Sequence, residues 1–185
     1  MLHIIDSHPI EEILRRTSET LANLSINRKN RREIASSGIA SRLAILFENG
    51  SPATKSFTLL IIGNLLSSGL FYDKVANSPT ITNILDNLLD LNFPKQFTAV
   101  SFCLCQLSKI QQSCEVLIDC SVVPIVLGYI RQAPLDSIDY LWTVLVNISQ
   151  FNDFFEKIIS HSKVLVMELY EETRFDSSTA HQQLC

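Results

Sequence analysis

One short string recurs through this chain at a nearly fixed step. Ala22-Asn23-Leu24-Ser25 returns as Gly63-Asn64-Leu65-Leu66, as Cys105-Gln106-Leu107-Ser108 and as Val146-Asn147-Ile148-Ser149, at intervals of 41, 42 and 41 residues. Three apolar ladders keep the same step. They run through Ile34, Val75, Leu117 and Ile158, through Leu43, Leu85, Val126 and Met167, and through Leu46, Leu88, Tyr129 and Tyr170. A period this long restricts the fold to units stacked in one dimension, each packing on its neighbours. The 185 residues correspond to about 4.5 such units.

Composition says what the unit is made of. Five glycines and six prolines leave few turns, which favours long helices over many short strands. Charged residues make up only 18%, too few for a disordered chain. Three helical stretches can be read in each period. The first is short, as in Arg31 to Ser36. The second runs near Ala40–Glu48, Thr82–Leu91, Val123–Arg131 and Val164–Glu172. The third is the longest: near Ile10–Leu24, Ala53–Leu66, Lys95–Ser108 and Leu135–Ser149. Apolar residues in it recur at helical spacing, as in Ile10, Ile13, Leu14, Thr17, Leu21 and Leu24. Pro9, Pro52, Pro94 and Pro134 each stand before a third helix, where a missing N–H costs nothing. Gly38 falls between a first and a second helix, where a tight bend requires a permissive residue.

A three-helix unit of about 41 residues, with proline before its third helix and small-Asn-Leu-Ser near that helix's end, resembles the armadillo repeat. HEAT repeats share the period but usually have two helices. The resemblance covers essentially the whole chain. It implies an all-α, right-handed α-solenoid of about four armadillo repeats: a partial repeat over 1–25, repeats over 26–67, 68–109 and 110–150, and a partial repeat over 151–185. Met1 to Ser7 reads as the tail of a second helix and Asp176 to Cys185 as the opening of a third. Both ends then fall inside a unit. The expectation is a segment of a longer stack, or a stack whose ends a partner or a second copy covers.

In the armadillo family the third helices line a concave wall, and the repeated Asn hydrogen-bonds the backbone of an extended peptide. The resemblance carries that role to Asn23, Asn64, Gln106 and Asn147. An amide side chain offers a donor and an acceptor, as a peptide backbone does. The alternative is that these amides tie each third helix to its neighbour's loops. Residues four and seven earlier share the helix face: Glu19, Leu60, Phe102 and Thr143, then Arg16, Phe57, Ala99 and Tyr140. The wall is therefore expected to be part apolar, through Phe57, Leu60, Phe102 and Tyr140, with Arg16 at one end. Such a stripe suits an amphipathic helix or apolar segment of another protein. Half of these side chains are core residues in the alternative reading. Trp142, five residues before Asn147, is expected to face the core.

Charge is uneven. Residues 1–42 carry 7 basic and 5 acidic groups, while the remainder carries 8 and 14. Arg28, Lys29, Arg31 and Arg32 resemble a short nuclear-localisation or nucleic-acid patch. No aromatic residue interleaves them and the net charge is −4, so a solvated face, or a dock for an acidic segment, is the expectation, and nucleic acid is not an expected partner. Cys103, Cys105, Cys114, Cys120 and Cys185 form no C-x-x-C pair and read as free thiols packed as small hydrophobes. No signal peptide or membrane span is read, and the expected location is cytoplasmic, with cytoskeletal, ciliary or nuclear complexes as alternatives. His3, His8, His161 and His181 are scattered, the acidic pairs Asp136/Asp139 and Glu171/Glu172 fall near helix starts or on exposed faces, and no nucleotide-binding or hydrolase motif occurs. The chain is accordingly expected to be non-catalytic and to need no cofactor. The expected function is binding other proteins along the third-helix wall, or serving as a structural subunit of a large assembly, with an enzyme as the remote alternative.

Overall fold

A computed structural model describes residues 11–69, 94–119, 122–130 and 133–151. Among these residues the chain is all α-helical, without a strand. The helices are α1 (Glu11–Ile26), α2 (Arg28–Ser36), α3 (Ile39–Asn49), α4 (Pro52–Leu66), α5 (Pro94–Leu107), α6 (Gln111–Asp119), α7 (Val122–Ile130) and α8 (Leu135–Ser149). The long helices α1, α4, α5 and α8 begin and end within two residues of the third helices read from the sequence. The stretches near 82–91 and 164–172, both chain ends, all four histidines, and Cys120 and Cys185 lie outside the described residues.

Local chemistry sets the breaks between helices. Asn27 caps α2, its side chain accepting from the Lys29 N–H. Gly38 has φ of +72°, a left-handed backbone that an L side chain resists, and it turns the chain from α2 into α3. Ser51 caps α4 by accepting from the Thr54 N–H, with Pro52 as the first helical residue. Pro134 stands immediately before α8.

The largest helix–helix interfaces join α1 to α4, α4 to α5 and α5 to α8. The four long helices therefore lie side by side in chain order. Three hydrogen-bonded pairings fix their direction. Glu11, at the start of α1, meets Ser51 and Thr54 at the start of α4. Ser25, at the end of α1, meets Asn64 near the end of α4. Thr98, early in α5, meets Ser137, early in α8. Start meets start and end meets end, so these neighbours run parallel. Among the shorter helices, α3 packs on α4 and α7 on α8, α2 touches both α1 and α4, and α6 packs on α7. Leu43, Leu46, Leu117 and Val126 of the apolar ladders are buried, and Ile34 and Tyr129 pack partly buried against the same core.

Within α1 the apolar periodicity is only partly used. Leu14, Thr17 and Leu21 are buried, but Ile13 and Leu24 are exposed. Their face of α1 has no further long helix against it among the described residues.

Candidate protein-interaction surface

The repeated string has a structural task that its spacing alone did not decide. Asn64 Nδ2 donates to Ser25 Oγ at 2.9 Å, and Asn147 Nδ2 donates to Ser108 Oγ at the same distance. Each bond links the string's amide in one long helix to the string's serine in the helix before it. Both serines in turn donate to the carbonyl three residues back, Ser25 to Ala22 and Ser108 to Cys105. A hydroxyl that gives its proton to its own helix keeps lone pairs for a neighbour's amide. Both serines are buried, where an unmade hydrogen bond costs most. Asn64 and Asn147 thus tie the ends of neighbouring long helices, where the alternative to peptide binding had them tied to a neighbour's loops.

The middle joint departs from this pattern in both partners at once. The second string ends in Leu66 rather than serine, and the third carries Gln106 rather than Asn. Gln106 is 6% exposed, and its Oε1 accepts from Lys109 Nζ at 2.9 Å within its own segment. At this joint Gly63 of α4 leaves room for the Phe102 ring of α5. A Cβ at position 63 would sit 2.5 and 2.6 Å from two ring carbons. Asn23, in the first string, is exposed and makes no hydrogen bond among the described residues.

The wall positions form a partly open apolar surface. Phe57 and Leu60 of α4, Phe102 of α5 and Tyr140 of α8 are all half-buried, and Phe57, Leu60 and Tyr140 pack against the core. Phe102 and Tyr140 meet edge-on, with ring centroids 5.5 Å apart at 65°. Ala99 is buried, so it lies beneath the wall, while Thr143 is half-buried. At the α1 end the wall becomes ionic. Glu12 bridges Arg15 and Arg16, and Arg15 also reaches Glu19. Hydrogen bonds from Arg15 and Arg16 hold the Glu12 carboxyl down to about 2.

The basic patch is not one unit. Arg28, Lys29 and Arg32 are exposed on α2. Arg31 instead folds back across the end of α1, donating to the Ser25 and Ile26 carbonyls and to Ser67 and Ser68 beyond α4. It is a brace between units, and an acidic ligand would find three cations here rather than four.

Trp142 does not face the core: 51% of it is exposed on α8. The positions equivalent to it in the three preceding long helices, Ser18, Leu59 and Ser101, are all buried. Sequence reasoning placed Trp142 by its position five residues before Asn147, a register whose burial in the other long helices comes from a neighbouring helix that α8 lacks among the described residues. Cys103, Cys105 and Cys114 are buried free thiols, and burial pushes the Cys103 thiol up to about 12. Asp136 and Asp139 are exposed, and no three of His, Cys, Asp and Glu converge on a metal position among the described residues. Nor, among them, is any single helix long and apolar enough to cross a membrane. No protein-family model matches this chain, and no curated protein matches it in sequence.

Proposed function

We propose that this chain is a non-catalytic protein-interaction module of the armadillo type, a right-handed stack of three-helix units that binds a peptide or helix of another protein along its third-helix wall. The observation that carries this reading is the chain-ordered packing of α1, α4, α5 and α8, with the same pair of string positions meeting at the α1–α4 and α5–α8 joints. The wall supplies Phe57, Leu60, Phe102 and Tyr140 as apolar contacts, each with part of its surface open. Such half-buried, pre-positioned side chains suit the apolar face of an amphipathic segment. Asn64 and Asn147 hold the wall in register and keep an amide oxygen to accept from a ligand backbone. Arg16, within its ion pairs, sets the charge at one end.

Selection of peptides from a displayed random library against the full chain tests this reading. Binders should compete with one another, and each should weaken at least tenfold when Leu60→Asp or Phe102→Ser is introduced into a chain that stays helical. Binders indifferent to both substitutions would sink the wall as the site. The second reading, a structural subunit of a cytoskeletal, ciliary or spliceosomal assembly, draws its support from the exposed apolar side chains of α8, Leu135, Trp142 and Val146.

A further inference from the structure

Helix α2 opens on cations. Arg28, Lys29 and Arg31 stand at its start, and no acidic residue lies in its first turn. The start of a helix is its positive end, so carboxylates are favoured there and cations opposed. Arg32 adds a like charge one turn after Arg28 and three residues after Lys29, which is unfavourable again. Helix α1 is built the other way. Glu11 and Glu12 open it, and its arginines Arg15 and Arg16 are paired within the helix.

Arg31 has a structural reason to be there, as the brace between units. Arg28, Lys29 and Arg32 have none. All three are exposed, and among the described residues no ion pair or hydrogen bond engages their side chains. Two apolar side chains stand close by: Leu24 is 42% exposed and Ile26 65%. Asn30 donates to the Leu24 carbonyl at 3.1 Å and Arg31 to the Ile26 carbonyl at 2.9 Å, which holds the end of α1 against the start of α2.

We propose that Arg28, Lys29 and Arg32, flanked by Leu24 and Ile26, form the docking site for a short acidic segment of a partner protein, one that carries an apolar residue among its carboxylates. Charge selects the occupant, because carboxylates here pair three cations that nothing else pairs. The site is small, about 13 Å along the nine residues of α2. It is also isolated, since residues 43–185 carry 8 basic and 14 acidic groups. A bilayer or a nucleic-acid duplex extends well beyond the patch and meets that excess of acid, whereas a short segment does not. The chain's own carboxylates are poorly placed to fill it. Acids adjoin each other at two places in the sequence. Glu11 and Glu12 are already engaged, by Ser51 and Thr54 and by Arg15 and Arg16. Glu171 and Glu172 follow α8 in the sequence, and α8 ends the row α1, α4, α5, α8, three helix spacings or about 27 Å from α1. The site does not rest on the groove reading, since it lies on α2 and the wall lies on the long helices.

Fluorescence anisotropy tests this, with the full-length chain titrated into a labelled Glu/Asp peptide that contains one Leu and one Phe. Binding should saturate and weaken as salt is raised. Arg28→Glu combined with Arg32→Glu should weaken it about tenfold, because two attractions become repulsions. Ile26→Ser should weaken it about fivefold, through lost apolar contact. Lys55→Gln, which removes a cation from α4, should leave it unchanged. Without peptide, Arg28→Glu should melt higher than the parent, since it puts an acid at the helix start, and this separates lost recognition from lost fold. Binding indifferent to reversal of Arg28 and Arg32 overturns the proposal. So does the absence of saturable binding, which would mean that the cations are only solvated or are covered from within. Tighter capture of a DNA duplex or of phosphatidylserine vesicles through the same three residues would assign the patch to an extended polyanion and overturn it equally.

Discussion

Gly63→Ala should destabilise this protein, although alanine is the better helix former. At an open helix position the exchange stabilises by about 1 kcal/mol, because glycine loses more backbone freedom on folding. At position 63 the added methyl would lie 2.5 Å from one carbon of the Phe102 ring and 2.6 Å from another. Contact at that range forces the ring to move. It is leaned edge-on against Tyr140, so moving it also disturbs the α5–α8 side of the stack. Overpacking of this kind costs about 1–3 kcal/mol. Set against the gain in propensity, the net is a loss of about 1 kcal/mol, or about 3 °C in melting temperature for a chain of this length. In a Phe102→Ala background the obstacle is gone, and the same exchange should stabilise by about 1 kcal/mol. The two sites should therefore couple by about 2 kcal/mol in a double-mutant cycle followed by circular dichroism in urea. A Gly63→Ala protein that melts higher than the parent would refute the close approach of α4 and α5.

The staple separates equivalent asparagines. Asn64→Ala and Asn147→Ala each lose a hydrogen bond worth about 1 kcal/mol and recover about half of that in helix propensity, whereas exposed Asn23→Ala only gains. Denaturation curves should place Asn23→Ala about 1 kcal/mol above the other two, and three equal values would remove the staple from the account. The Glu12 cluster gives a pH signature. Its folded pKa is lowered from 4.5 to about 2, so its stabilising contribution is complete above 4.5 and is lost as pH falls through about 2. The melting difference between the parent and Glu12→Gln should be flat near neutrality, shrink between those two values and vanish below them. A difference that persists at lower pH would mean that Glu12 acts otherwise than as a carboxylate.

The periodicity of the chain made the order of helices and most of their boundaries legible, because caps, prolines and apolar spacing act within a few residues. Gly38 is an example: its left-handed turn follows from the need for a bend between two adjacent helices. Contacts between units were harder to read. Nothing local in Arg31 announces that it reaches Ser67 and Ser68, more than thirty residues away. The staple did leave a trace. Serine is missing from the second string and asparagine from the third, and those are the two halves of a single joint. Trp142 was misplaced for a different reason: a large aromatic ring is buried only where a neighbour exists to bury it.

The joints of this stack are not mechanically alike. Between α1 and α4, and between α5 and α8, a directional hydrogen bond near the helix ends fixes how far one rod can slide along the other. Between α4 and α5 the join is a ring over a glycine, with no side-chain hydrogen bond crossing it among the described residues. Apolar contact resists separation but penalises small sliding much less. Among the described residues, sliding is therefore least restrained between α4 and α5. Phe102 belongs both to that joint and to the edge-on contact with Tyr140, so a displacement of its ring is felt by the helices on either side of α5 at once.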